Sequence, residues 1–237
     1  MSTQQIQRAM LKQVAVALGP DLRARMAFVG GCTTALYLSD EFTLEQVRHT
    51  DDVDIIVHVM GRADFYTLQE TLKKASFRVS MPDPGEKTPP ICAMQLGELR
   101  VDFMPDDQSI LGFTNRWYQQ ALSTAKAYEL DTGITINLVD PVYFVATKLE
   151  AWKGRGNGDA LSSHDIEDIL NVVDGRPELV SEIASGPTEV KVYIAGEIRA
   201  LLDDSNFEYA VASQSGNDSD REDVLFERLE ALTKGAA

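Results

Sequence analysis

The sequence predicts an α+β fold, in which a mixed sheet with flanking helices is followed by a helical C-terminal module. Two observations predict this class. Up to about residue 140, short β-type runs alternate with helical stretches, whereas beyond Asp140-Pro141 the apolar residues recur almost wholly at helical spacing. We therefore expect an α/β domain over residues 1–140 and a helical domain over residues 141–237.

The composition excludes several classes of protein. The 237 residues carry a net charge of −15, which argues against a protein that coats long duplex nucleic acid, because phosphate neutralisation needs a basic surface. No apolar run approaches the roughly 20 residues of a membrane span. Cys32 and Cys92 stand in no metal-ligand spacing, and two cysteines cannot make a disulfide framework, so a location in the reducing cytoplasm is expected. A small nucleotide, a nucleic-acid end or a basic protein partner stays compatible with the charge.

In the first half of the chain, apolar spacing and turn residues define the elements. Residues 4–18 predict a helix that ends at Gly19-Pro20, and residues 27–30 predict a short buried strand that ends in glycine. A helix at 33–38, a strand at 53–59 and a helix at 62–75 follow. The segment 81–90 is dense in proline and glycine and predicts a loop. Two hairpins are expected, one of strands 91–96 and 99–104 and one of strands 125–131 and 134–138.

In the second half, helical periodicity dominates. Helices are expected at about 142–154, 164–174, 177–185, 188–203 and 221–233. The polar run at 212–220 predicts a linker between the last two of them.

A pair of glycines ends the first strand. Gly30 and Gly31 precede Thr33 and Thr34, which open the next helix. One interpretation is a tight strand-to-helix turn of the kind found in any α/β protein. The other is a phosphate site, because glycine lets backbone N–H groups approach an anion at a helix N-terminus. The sequence leaves both open.

Two carboxylates share one face of the second strand. Asp52 and Asp54 alternate with Val53 and Ile55, so both acidic side chains point to the same side. Two such charges close together repel each other, and a bound divalent cation removes that conflict. The alternative is that this is the solvent-facing side of the strand.

A third carboxylate follows in a later strand. Asp102 shares its face with Arg100 in an otherwise apolar run. It is a candidate third metal ligand or a general base for an attacking hydroxyl. It is equally compatible with a cross-strand ion pair or with a charge on an edge strand.

The helical half contributes its own candidates. Lys148 and Arg155 fall on one stripe of the helix at 142–154, an arrangement that suits a triphosphate but is also typical of a solvated face. Ser162 and Asp165 have the spacing of a capping box, which gives Asp165 a structural role. Asp168 lies on the same face as Asp165 and has no capping role. One of these two carboxylates is expected to accept a hydrogen bond from Lys148 or Arg155.

In content and in order, these motifs resemble the nucleotidyltransferase superfamily with a polymerase-β-like core, and most closely its AbiEii-type, toxin-like members. The resemblance covers roughly residues 26–175. It rests on Gly30-Gly31, on Arg48-His-Thr-Asp-Asp-Val-Asp54, on the helix with Lys148, and on Asp165-Ile-Glu-Asp-Ile169. One feature departs from the family pattern. Twenty residues separate Gly31 from Asp52, which suggests an insert at 40–46.

The resemblance implies a nucleotidyltransferase-like sheet and a role for each motif. Asp52 and Asp54, with Asp102 as the third candidate, would hold Mg²⁺. Contacts to the nucleotide would come from Gly30, Gly31, Thr33, Lys148 and Arg155, and a catalytic or orienting role from Asp165 or Asp168. The helical domain would contribute to the nucleotide cleft.

The activity so implied is Mg²⁺-dependent transfer of a nucleoside monophosphate from an NTP, ATP included, to an acceptor hydroxyl. The acceptor would be an RNA 3′ end, a protein or a small molecule. Such an enzyme would act as the toxin of a toxin-antitoxin or phage-defence system, with a possible cognate antitoxin as partner. The alternatives are a small-molecule, antibiotic-type nucleotidyltransferase and a catalytically inactive, nucleotide-binding regulatory member of the fold.

Overall fold

A computed structural model describes residues 1–81 and 90–234 of the chain. Most of the predicted 81–90 loop therefore lies outside the described residues. The chain divides into two compact units, each built from two segments. The sheet unit comprises Met1–Thr33 and His49–Asp140, and the helical unit comprises Thr34–Arg48 and Pro141–Ala237. The functions expected of the two domains stay predictions.

The sheet unit is organised around one mixed sheet of seven strands. The strands are β1 (Met26–Val29), β2 (Asp52–Val57), β3 (Arg78–Val79), β4 (Ala93–Leu96), β5 (Leu99–Pro105), β6 (Lys126–Asp131) and β7 (Ile134–Leu138). Their order in the sheet is β3-β4-β5-β2-β1-β7-β6. Pairing is antiparallel except between β2 and β5 and between β1 and β7, which are parallel. Together with the helices, this sheet confirms the predicted α+β class.

Both predicted hairpins are confirmed, as β4–β5 and β6–β7. The centre of the sheet is its most apolar part, because β1 is buried at every residue and β2 alternates at its start before three buried residues at its end. That alternation places Asp52 and Asp54 on one face of β2, at half-buried positions.

Eleven α-helices are present in the described residues. They are α1 (Thr3–Arg23), α2 (Glu41–Gln46), α3 (Arg62–Lys74), α4 (Gln108–Leu111), α5 (Tyr118–Ser123), α6 (Pro141–Arg155), α7 (His164–Gly175), α8 (Leu179–Ala184), α9 (Thr188–Leu202), α10 (Phe207–Gln214) and α11 (Ser219–Thr233).

One expectation about the helices is confirmed and two are corrected. The first helical stretch ends where predicted, because Gly19 takes a non-helical φ of 69° and divides α1 into two helices. The second of them begins at Pro20, since proline is tolerated in a first turn. Residues 33–38 belong to a tighter 3₁₀ helix, Gly31–Tyr37. The 212–220 linker is shorter than predicted, since α10 reaches Gln214 and α11 begins at Ser219.

The core of the helical unit is formed by α6 and α7. The first nine residues of α6, from Pro141 to Leu149, are all buried, and ten of the twelve residues of α7 are buried. A helix buried on all sides must pair any charge that it carries. Helix α2, in the segment suspected to be an insert, packs against α7.

Among the described residues, no helix combines the length and the apolar character that crossing a membrane requires.

Candidate functional site

The sheet unit gathers three carboxylates on adjacent strands. In the parallel pairing of β2 with β5, Asp54 lies directly opposite Asp102, and Asp52 lies two residues before Asp54 on the same face. One carboxylate oxygen from each side chain lies within 4.8 Å of the others, and all three residues are half-buried. We call these three residues the acidic triad. Within residues 1–81 and 90–234 it is the one group of His, Cys, Asp or Glu side chains close enough to share a metal ion.

Two neighbours hold the triad in place. Thr50 Oγ1 donates a hydrogen bond of 2.6 Å to Asp52 Oδ1. Arg100 donates from Nε to Asp102 Oδ1 at 3.0 Å and from Nη2 to Asp102 Oδ2 at 3.1 Å, a two-point fork. The ion pair weighed for Asp102 is therefore present, but it lies within one strand. The edge-charge alternative is wrong, because β5 lies inside the sheet.

The donor set and the charge of the triad fit a divalent cation. Carboxylate oxygens are the ligands that Mg²⁺ prefers in proteins. The three carboxylates and the Arg100 guanidinium leave a formal charge of −2, which one divalent ion would neutralise. The Asp102 side chain is 13% exposed, so part of its hydration shell is already lost and a charge partner is worth more there than at the surface.

Gly30 is packed against the triad. Its φ is +84°, and a Cβ atom built on it would lie 2.0 Å from Asp54 Oδ2 and 2.8 Å from Asp54 Cγ. No side chain fits at that distance, and the left-handed φ already favours glycine. The tight-turn interpretation of Gly30 therefore holds, and the turn has the specific effect of letting Asp54 lie against the end of β1.

The next residues close this turn on itself. Thr33 is buried, and both its backbone N–H and its hydroxyl donate to the Gly30 carbonyl, at 3.0 and 2.8 Å. The phosphate contacts expected of Gly30, Gly31 and Thr33 stay predictions. For Thr33, the two donors that such a contact would use are engaged within the turn.

The helical unit holds a second group of charges, around Lys148. Its ammonium group lies 2.6 Å from Asp168 Oδ2 and 3.2 Å from Asp165 Oδ1. Arg155 donates two hydrogen bonds of 2.8 Å to the carboxylate of Asp165. The expected hydrogen bond between these basic and acidic residues is thus made by both Lys148 and Arg155. The solvated-face alternative is wrong for Lys148, whose side chain is 7% exposed, and fits only Arg155, at 70%.

Asp168 is the centre of this group. Its side chain is fully buried, and it accepts hydrogen bonds from Thr34 Oγ1 at 3.1 Å and from Arg48 Nη2 at 3.3 Å in addition to its contact with Lys148. A buried carboxylate is tolerated only with such partners. Sequence reasoning did not identify Thr34 or Arg48 as partners of Asp168, although both belong to the quoted motifs.

Two acidic residues of α7, Asp165 and Glu167, have pKa values that are shifted in opposite directions. Burial raises the pKa of Asp165, but the Arg155 hydrogen bond and the charges of Lys148 and Arg155 outweigh it and hold that pKa below its ordinary value. Burial dominates at Glu167 and raises its pKa, although Arg48 opposes the shift. Asp165 therefore stays anionic at neutral pH.

The predicted capping box at the start of α7 is wrong. The N-cap is Ser163, whose Oγ accepts from the Ile166 N–H at 3.3 Å, and Asp165 turns to the basic side chains instead. The one-residue shift removes the capping role that the spacing had given to Asp165. Its ion pairs with Lys148 and Arg155 are therefore its main structural role.

Comparison with known proteins gives one solved structure to report. No protein-family model and no curated protein sequence matches the chain. The chain is similar to the solution structure of the antibiotic-resistance factor ANT(2'')-Ia, with 14% sequence identity over 83% of this chain and 93% of that one, and with a TM-score of 0.44. A similarity at this level does not indicate an activity for this chain, so its function is inferred from its own residues.

Proposed function

We propose that this chain is a Mg²⁺-dependent nucleotidyltransferase, which moves a nucleoside monophosphate from an NTP to an acceptor hydroxyl. The observation that carries the proposal is the acidic triad, in which Asp52, Asp54 and Asp102 place carboxylate oxygens within 4.8 Å of one another. The resemblance of the surrounding motifs to polymerase-β-like nucleotidyltransferases supports the choice of reaction. The packing of Gly30 on Asp54 supports it independently, because it fixes one of the three carboxylates.

In this proposal each member of the triad has a defined task. A bound Mg²⁺ ion would neutralise the charge that develops on the phosphate and on the attacking and leaving oxygens. Asp52 and Asp54 would hold the ion from one strand, and Asp102 would complete the set from the next strand. The hydrogen bonds from Thr50 and Arg100 fix the orientation of the first and the third carboxylate, so the site needs little rearrangement.

We further propose that Lys148 contacts the nucleotide, with Arg155 beside it. The support is that Asp165 and Asp168 hold the Lys148 ammonium group from two sides at 3.2 and 2.6 Å. In that arrangement the two carboxylates are positioning residues. They neutralise the charge of the buried ammonium group, which would be costly there without a partner.

The test is transfer of label from α-labelled NTPs in the presence of Mg²⁺. The acceptor panel holds RNA with a free 3′ hydroxyl, protein and an aminoglycoside, and all four NTPs are screened. We expect transfer by the native chain and a loss of about 100-fold or more in Asp54→Asn, because a fixed charge at the reacting phosphate is removed. Asp51→Asn, the same change at the exposed neighbouring carboxylate, is the matched control and should keep the activity.

This assay, together with the melting temperature of the chain measured with each NTP and Mg²⁺, decides between the proposals. Mg²⁺-dependent NTP binding without transfer to any acceptor would favour a regulatory, inactive member of the fold. Absence of NTP binding, measured as an unchanged melting temperature with each NTP and Mg²⁺, would overturn the enzyme proposal.

The toxin role is proposed on the resemblance alone. It predicts that induced expression of the native chain arrests the growth of a bacterial host and that Asp54→Asn abolishes the arrest. Normal growth with an active enzyme would favour a small-molecule acceptor, which the panel above identifies.

A further inference from the structure

Arg100 is a positive charge that lies beside the acidic triad and is bound to Asp102. The register of β2 with β5 pairs Asp52 with Arg100 and Asp54 with Asp102. Directly opposed residues of neighbouring strands point to the same face, so one guanidinium and three carboxylates share this part of the sheet. Arg100 is in addition bound to Asp102 through two hydrogen bonds of 3.0 and 3.1 Å.

This cation changes how much positive charge the triad needs. Three carboxylates alone carry a formal charge of −3. One divalent ion would leave a net charge of −1, which favours the binding of a second ion. With Arg100 in place the formal charge is −2, and the first divalent ion neutralises it. In two-metal sites the ions lie roughly 3.5–4 Å apart, so a second ion would have to share Asp102 with the guanidinium.

We propose that Arg100 occupies the position of a second cation, so that the acidic triad takes a single divalent ion and binds it weakly. The inference rests on the metal site of the proposed function. Its consequence is that the ion is retained best when an NTP adds the negative charge of its phosphates. Arg100 acts on the metal through Asp102 and through its own charge, which makes it a positioning residue.

The size of the effect follows from Coulomb's law. A unit positive charge about 5 Å from a divalent ion, at the dielectric constant of water, weakens binding by about tenfold. Loss of the charge in Arg100→Gln should therefore tighten Mn²⁺ binding by about tenfold. Arg100→Lys keeps the charge without the fork, and its affinity should stay within about threefold of the native chain.

The experiment is a titration of the full-length chain with Mn²⁺ alone, followed by the paramagnetic resonance of the free ion, which gives both affinity and stoichiometry. Arg78→Gln is the matched control. Arg78 pairs with Gln95, and Gln95 pairs with Arg100, so the same charge is removed two strands away. That distance is about 10 Å, near the screening length at physiological salt. The Mn²⁺ affinity of Arg78→Gln should therefore equal that of the native chain. Circular dichroism checks that each variant is folded.

We expect one Mn²⁺ ion per native chain and tighter binding in Arg100→Gln alone. Native stoichiometry of two, or unchanged affinity in Arg100→Gln, would overturn the inference and leave the metal site standing. Weaker binding in both Arg100→Gln and Arg100→Lys would also overturn it, because the fork would then serve to orient Asp102. If neither the native chain nor any variant binds Mn²⁺, the metal site of the proposed function is refuted as well.

Discussion

Replacing Gly30 by alanine tests the packing of the β1 end against Asp54. The added Cβ atom would lie 2.0 Å from Asp54 Oδ2, and its three nearest neighbours all belong to the Asp54 side chain. Overpacking of this kind costs about 1–3 kcal/mol. The φ of +84° adds about 1 kcal/mol for a residue with a Cβ atom. We therefore expect Gly30→Ala to lower the free energy of unfolding by about 2–4 kcal/mol.

Gly133→Ala is the matched control for the backbone contribution. Gly133 also has a left-handed φ, +74°, but a Cβ atom there would meet nothing within 4 Å. Its cost should be only about 1 kcal/mol. The difference between the two alanine variants isolates the contact with Asp54.

The assay is urea unfolding followed by tryptophan fluorescence. The chain has two tryptophans, Trp117 in the sheet unit and Trp152 in the helical unit. In a Trp152→Phe background the signal reports the sheet unit alone, and the midpoint and slope give its free energy of unfolding. In an Asp54→Gly background the cost of Gly30→Ala should fall to that of Gly133→Ala. Equal costs of the two alanine variants, or no relief by Asp54→Gly, would refute the argument.

Three further predictions concern buried charges and thiols. Lys148→Met should cost about 3–5 kcal/mol, because it leaves the fully buried Asp168 without its closest cation and Asp165 without one of its two. Lys153→Met removes an exposed pair and should cost at most about 1 kcal/mol. Similar costs of the two variants in urea unfolding would contradict this. The pKa of Asp165 in the folded chain is lowered from 3.8. The ionised carboxylate therefore stabilises the folded state fully above pH 3.8, and this stabilisation is lost as the pH falls through the pKa of the folded state. Arg155→Gln should therefore be less stable than the native chain at neutral pH and converge with it in strong acid; a pH-independent difference would count against it. Burial, assisted by the charge of Asp102, raises the pKa of Cys92 to about 12. Iodoacetamide should therefore modify Cys92 only after unfolding. Rapid labelling of Cys92 in the native chain would contradict its burial.

The part of the site that lies on one strand could be predicted from the sequence. Alternation with Val53 and Ile55 is enough to place Asp52 and Asp54 on one face, whatever the rest of the fold. Asp102 could be predicted only as a candidate third ligand, because periodicity does not reveal which strands are adjacent. Its position follows from the strand order, in which β5 lies beside β2 although 41 residues lie between the end of β2 at Val57 and the start of β5 at Leu99.

In the helical half, the burial of a helix could likewise not be predicted from the sequence alone. Helical periodicity correctly placed Lys148 and Arg155 on one side of α6, since both reach Asp165. It could not show that α6 is buried all round over its first nine residues, because neighbouring helices decide that. Helix α10 was missed for a related reason: Phe207, Ala210, Val211 and Gln214 are its buried positions, but they merge into a polar run that resembles a linker.

The position of a bound metal ion shows whether the acidic triad is a metal site. Crystals of the native chain soaked in Mn²⁺ and measured for anomalous scattering should show one peak per chain, with oxygens of Asp52, Asp54 and Asp102 at ligand distance, about 2.0–2.6 Å. The same soak of Asp54→Asn should lose that peak or greatly weaken it. A Mn²⁺ peak elsewhere in the chain, or a triad that stays without the ion at saturating Mn²⁺, would contradict the account.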